Sequence, residues 1–178
     1  MNTRVLKPRH GPTILVRPLH NGDVDTVLAV FHRLGEQSRR RRFNGHKAHL
    51  TEDELWQLTL VDSTHHALVA YVEGDQEPVA IARLVRDGQS AEIAFEVAND
   101  YQQRGIGSAL TEELLADARA AGITEITALV SSDNPAAVAL LRRTLDALDI
   151  SLEGPDLWIR AAIPRLSRKL ASSDPDLC

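Results

Sequence analysis

Cysteine is almost missing from this chain of 178 residues: Cys178, the last residue, is the single one. A disulfide scaffold is therefore excluded, and a reducing, cytoplasmic setting is the natural expectation. Long apolar runs are missing as well, so no segment is expected to span a bilayer. The N-terminal stretch holds Arg4, Lys7 and Arg9 but no apolar block, and does not read as a secretory signal. There is no excess of positive charge; a formal charge of -5 argues against a general nucleic-acid binder, which needs a basic face for phosphates. Internal repeats and low-complexity tracts are lacking too. His65 and His66, with Asp62 and Ser63 before them, are triad residue types, but adjacency makes no triad, and ligand partners at metal-binding spacing are missing.

What is present suits one globular domain over residues 1–178, since hydrophobic residues at 43% and charged residues at 25% allow a proper core. The core is expected over about residues 13–164, with fraying ends at 1–11 and 167–178, where polar and turn residues collect.

Periodicity sets the order of elements. Residues 13–19 are rich in aliphatic side chains and predict a first strand. Residues 23–34 predict a helix with Asp23 at its N-cap and Val24, Val27, Leu28 and Phe31 along one face. Thr51 and Glu54 have capping-box spacing and open a second, short helix carrying Leu55, Trp56 and Leu58. Residues 67–72 and 78–85 read as strands joined through Gly74-Asp75, and residues 91–98 alternate as a further strand. Residues 108–121 predict a helix stopped by Gly122. A strand at 123–130, a helix capped by Asn134 with Pro135 in its first turn, and strands at 150–152 and 157–163 complete the chain. Three consecutive strands imply antiparallel pairing, whereas strand–helix–strand implies a parallel crossover. The fold class is therefore mixed α/β (α+β), with a mostly antiparallel sheet of about seven strands and about four helices.

The run Gln102-Gln103-Arg104-Gly105-Ile106-Gly107-Ser108 lies between a strand and a helix. Glycines there let backbone N–H groups approach an anion, the helix N-terminus adds unpaired donors, and Arg104 can add a counter-charge. A Walker loop would need lysine after the second glycine, where Ser108 stands. A dinucleotide fingerprint would need a third glycine where Leu110 stands. By themselves the glycines are equally explained by a tight strand-to-helix turn.

These residues resemble the GNAT superfamily of acyl-CoA-dependent N-acyltransferases, whose signature [QR]-x-x-G-x-[GA] is matched in full by Gln102 to Gly107. The element order is similar to that family's over about residues 13–164, and the stretch from Asn134 to Leu141 looks like its second motif, N-x-x-A-x-x-L-Y. The resemblance implies acetyl-CoA as co-substrate, its pyrophosphate held by the amides from Gln103 to Ser108. It also implies that the backbone of Phe95 to Val97 pairs with the pantetheine arm, and that Asn134 contacts the cofactor near its pantetheine or thiol end while also capping its helix.

An amine acceptor must lose a proton before attack, because a lysine ammonium has a pKa of about 10.4. Glu92 and Glu96 share one strand face, four residues apart, or on the order of 13 Å. The run from Ala91 to Phe95 is similar to the fourth strand of histone-type lysine acetyltransferases and looks closest to the actinobacterial protein lysine acetyltransferases. That likeness makes Glu92 the expected base, directly or through a water, with Glu96 in reserve; the lesser alternative is that both are solvated strand residues. Leu141 departs from the motif's tyrosine, which in many members protonates the departing thiolate; water, Ser131 or Ser132 are the substitutes. A protein lysine is thus the expected acceptor. A small-molecule amine, or an acyl-CoA-binding module without catalysis, are the alternatives. The run Arg39-Arg40-Arg41-Arg42 reads first as a solvated face, with a contact for adenosine phosphates, an acidic protein substrate or nucleic acid as the alternatives. Ser38 with Arg42-Phe43 is similar to a pattern of the actinobacterial proteins, which implies a structural or substrate-entrance role for Arg42. Trp56 and Trp158 read as core or rim residues.

Overall fold

The computed structural model describes residues 3–43 and 45–163; the expectations for residues 167–178, Cys178 included, lie outside them. Eight strands form one sheet: β1 (Arg4–Leu6), β2 (Ile14–Pro18), β3 (His65–Val72), β4 (Pro78–Asp87), β5 (Ser90–Val97), β6 (Glu125–Ser131), β7 (Asp149–Glu153) and β8 (Asp156–Ala162). Five helices join them: α1 (Val24–His32), α2 (Glu36–Phe43), α3 (Glu52–Thr59), α4 (Ile106–Ala120) and α5 (Pro135–Thr144). The sheet order is β1-β2-β3-β4-β5-β6-β8-β7, and every neighbouring pair is antiparallel except β5–β6. That parallel pair is joined through helix α4, as a crossover requires.

Period-two burial explains how the central strands are covered. Leu68 and Ala70 of β3 point into a core with Leu110, Leu114 and Leu141 from α4 and α5. Their neighbours Ala67 and Val69 point the other way, against Val27, Val30 and Phe31 of α1. Local signals hold where the sequence predicts them: Asp23 accepts from the Thr26 amide, Thr51 and Glu54 close both halves of the capping box, and Asn134 accepts from the Ala137 amide with Pro135 at the helix start.

Three features depart from the sequence reading. Residues 4–6, expected to fray, form β1, paired with β2 from Arg4↔Val16 to Leu6↔Ile14. Three residues are too short for alternation to register, and the strand is fixed from outside by Arg4, which reaches Glu113 at 2.6 Å and Asp117 at 2.9 Å on α4. The arginine run, read as a solvated face, lies in helix α2. It buries no residue, so it has no apolar stripe to betray its period. Trp56 is neither core nor rim, being 65% exposed on α3. No helix among the described residues is long and apolar enough to cross a membrane.

Candidate active site

Strands β5 and β6 pair at only three positions, Ser90↔Glu125, Ala91↔Ile126 and Glu92↔Thr127. Beyond Glu92 they part. The far edge of β5 stays bonded to β4 through Ala80↔Val97, and β6 stays bonded to β8 through Ser131↔Asp156. Both lips are therefore held rigidly while their inner edges keep unpaired backbone groups, the condition for an extended amide-bearing ligand to enter as an added strand. The gap opens into a cavity of about 1280 Å³ that reaches from Glu92, Phe95, Glu96 and Val97 to Gln103, Gly105, Gly107 and Ser108 and to Ser131 and Asn134.

At the wide end, Gln103 (φ 60°) and Gly105 (φ 76°) adopt left-handed backbone conformations and turn the chain into α4. The first amide to close a helical turn is that of Ala109, 3.0 Å from the Gly105 carbonyl. The amides before it have no helical acceptor and are left for an anion at the positive end of the dipole. Gly107 has a different use: a side-chain carbon there would lie 3.0 Å from Leu140 Cδ1 and 3.4 Å from Val97 Cγ2, so its absence lets α4 approach β5 and α5. Ile106 is fully buried, leaving only its backbone to the loop. Arg104 does not line the cavity; its guanidinium stacks 5.4 Å from the Tyr101 ring centroid. The Gln102 side chain is also engaged within the protein, donating to Val97 O at 3.0 Å and to Ser38 Oγ at 3.1 Å.

The two glutamates of β5 differ sharply. Glu92 is exposed at the narrow end, where pairing stops. Glu96 is buried, its Oε1 accepting from Arg83 at 2.9 Å and its Oε2 from Arg42 Nε at 2.8 Å. Burial pushes the Glu96 carboxyl up, but the charges and hydrogen bonds of Arg83 and Arg42 outweigh it and hold the group below the usual carboxylate range.

Helix α2 ties both lips together, a role the sequence pattern did not reveal. Arg42 reaches β5 at Glu96, and Arg41 donates to the Asp133 side chain (3.2 Å) and carbonyl (2.6 Å) just past β6. Ser38 and the Gly35 amide bond Asn99 ahead of the loop. Asn134 lines the cavity while it caps α5, and the Ser131 hydroxyl donates to Asp133 at 2.8 Å. Leu141 is fully buried in the core. Of the two tyrosines of the chain, Tyr71 does not line the cavity and accepts from Arg17, while Tyr101 lines it with its hydroxyl committed to Asp75. His65 contacts Asp62 and Thr64, and His66 contacts Asp117; neither lines the cavity.

With this geometry in place, similarity to known proteins decides the family. The acetyltransferase (GNAT) family signature matches residues 31–146. This chain belongs to that family. It is similar to acetyltransferase Pat of Mycolicibacterium smegmatis, with 35% identity over 156 residues that make up 85% of this chain and 44% of that protein. The chain thus spans less than half the length of that curated relative. The crystal structure of the GNAT domain of S. lividans PAT superposes with a TM-score of 0.82 at 25% identity, covering 90% of this chain and 97% of that one. The PaiA N-acetyltransferase of Thermoplasma acidophilum, solved with coenzyme A, shares the fold at a TM-score of 0.62 and 16% identity, covering 84% of this chain and 98% of that one. Acetyl-CoA is the co-substrate of this family. The donor set suits it, with free amides at a helix start for the diphosphate and an open strand edge for the pantetheine amides.

Proposed function

We propose that this chain transfers acetyl from acetyl-CoA to a primary amine, that the acceptor is a lysine ε-amine of a protein, and that Glu92 is the general base. The observation that carries the base assignment is the end of β5–β6 pairing at Glu92, which puts its carboxylate at the apex of the cleft while still exposed to solvent. A carboxylate there can take a proton from an ammonium through a water. Glu96 suits a different task. Both its oxygens are engaged by arginines, so it anchors Arg42, and through it α2, against the cleft.

When bound, acetyl-CoA supplies an activated thioester carbonyl and a thiolate leaving group. The amides from Gln103 to Ser108 hold its phosphates, the inner edge of β5 from Phe95 to Val97 aligns its amide-bearing arm, and Asn134 lies on the opposite lip. Departure of the thiolate needs no protein acid: the conjugate base of a thiol with a pKa of about 8.5 is a weak enough base to leave as the anion when its bond to the acetyl carbon breaks, and water then protonates it; Leu141 cannot donate.

The open face around Glu92 favours a polypeptide acceptor. In the sheet register Val85, Glu92, Thr127 and Arg160 form one row, with Leu129 and Trp158 paired in the next. Val85 and Leu129 are each 42% exposed. Exposed apolar side chains beside a base suit a segment laid across a surface, whereas small ligands are usually enclosed.

Release of free coenzyme A, measured with a panel of lysine-bearing proteins and small amines, tests the acceptor; turnover only with small amines overturns the lysine assignment. For the base, Glu92→Gln is expected to lower kcat by about 10²–10⁴-fold with the Kd for acetyl-CoA unchanged. Full turnover in that variant removes Glu92 from the role.

A further inference from the structure

The connection between β1 and β2 crosses the phosphate-binding loop in direct contact. A side-chain carbon on Gly11 (φ +130°) would lie 2.0 Å from the Arg104 carbonyl oxygen, and one on Gly105 would lie 2.8 Å from the His10 carbonyl oxygen and 3.2 Å from Pro8 Cβ. Two backbones pack here with no room for a side chain between them, and each contributes a glycine in a conformation that other residues rarely adopt. The strap is fastened upstream by β1 and by the Arg4 ion pairs to α4, and downstream by β2.

The strap is also basic, and Lys7, Arg9 and His10 line the cavity together with the loop. The other cations there are mostly taken: Arg41 pairs with Asp133 and Arg42 with Glu96. Among the described residues, the lining cations with no carboxylate partner are Lys7, Arg9 and Arg143, set against the carboxylates Glu92 and Glu112. The loop's own arginine, Arg104, is stacked on Tyr101 and does not line the cavity. Free amides satisfy a diphosphate bound close to the backbone. A phosphate monoester farther out carries up to two charges and needs mobile cations, which the strap provides.

We propose that the strap from Lys7 to Gly11 is part of the coenzyme A site, with Lys7 and Arg9 reading the ribose 3′-phosphate and so separating coenzyme A from its 3′-dephospho form. The proposal rests on acetyl-CoA being the co-substrate and is independent of acceptor and base. The test is calorimetric titration of the full chain with coenzyme A and with 3′-dephospho-coenzyme A, at low and moderate salt. The wild type is expected to prefer coenzyme A by about tenfold, the effect of roughly one charge-assisted contact, with the preference shrinking as salt rises. The double variant Lys7→Gln/Arg9→Gln should bind coenzyme A about tenfold more weakly while its Kd for the dephospho form stays unchanged. Equal wild-type affinity for both ligands, or equal loss of both in the double variant, overturns the proposal. So does a preference that survives the double variant and disappears in Arg143→Gln. A wild type that binds neither ligand removes the co-substrate reading, and the strap's role with it, and that result is distinct from binding without discrimination.

Discussion

Glu92 and Glu96 have the same side chain, strand and sheet face, yet their surroundings give them opposite properties. Opposite Glu96 in the register stands Ile81, under α1, and Arg42 and Arg83 close over its carboxylate. Opposite Glu92 stands the exposed Val85. A buried carboxylate between two guanidiniums is structurally demanding, because removing it leaves unpaired charge in a poor solvent. Glu96→Ala is therefore expected to lower unfolding stability by about 3–5 kcal/mol, measured by urea denaturation. Glu92→Gln, at an exposed position, should change stability by no more than about 0.5 kcal/mol. A small effect at Glu96 would mean that its ion pairs are replaced by water. Alternation in the sequence placed both glutamates on one face, but it contains no information about which of them a distant helix would cover.

Among the elements, α2 is the one that composition concealed. Its polar attachments run to three separate segments: the loop turn through Asn99, β5 through Glu96 and the β6–α5 connection through Asp133. Phe43 at its end is its one apolar anchor, packed on Phe31 of α1. Such a helix gains little from apolar burial and depends on tertiary contacts. Arg41→Ala is expected to have little effect on global stability, since its partner Asp133 is exposed, and to raise the KM for acetyl-CoA more than that for the acceptor, because Asp133 adjoins Asn134 on the lip proposed to hold the co-substrate. Steady-state kinetics with each substrate varied in turn would check this. The α5 N-terminus offers a second comparison, because Asn134 both caps the helix and lines the cleft. Asn134→Ala should cost about 1 kcal/mol of stability and weaken acetyl-CoA binding, whereas Asn134→Asp should keep the cap and lose only affinity. Parallel denaturation and calorimetry would separate the two effects. The cap itself was legible in the sequence as Asn before Pro; its position on the cleft was not.

Across the whole molecule, carboxylates held below their usual range include Asp23, Glu54, Asp75 and Glu96. A group whose pKa is lowered by folding adds stability above its unfolded value, and that stability is lost as pH falls through the folded value. The urea midpoint is thus expected to decline as pH drops below the ordinary glutamate value of 4.5. The decline should be shallower in Glu96→Gln, and an identical acid limb in that variant would remove Glu96 from the set.

By itself the sequence determined what depends on near neighbours: the period of each apolar face, the caps at Asp23, Thr51 and Asn134, and the glycine-marked turn after β5. It also carried the family signature, because a loop presenting successive amides to an anion needs its residue types in an unbroken run. Tertiary structure decided what depends on contacts far apart in the chain. The short β1 became a strand through Arg4 reaching α4, more than a hundred residues away. Helix α2 became a clamp because its arginines find Glu96 and Asp133, and the strap met the loop only because β1 and β2 bring residues 7–11 beside Gly105. The physical reason is range: capping and periodicity act within a few residues, whereas burial, ion pairing and the splay of two strands are set by packing of the whole chain.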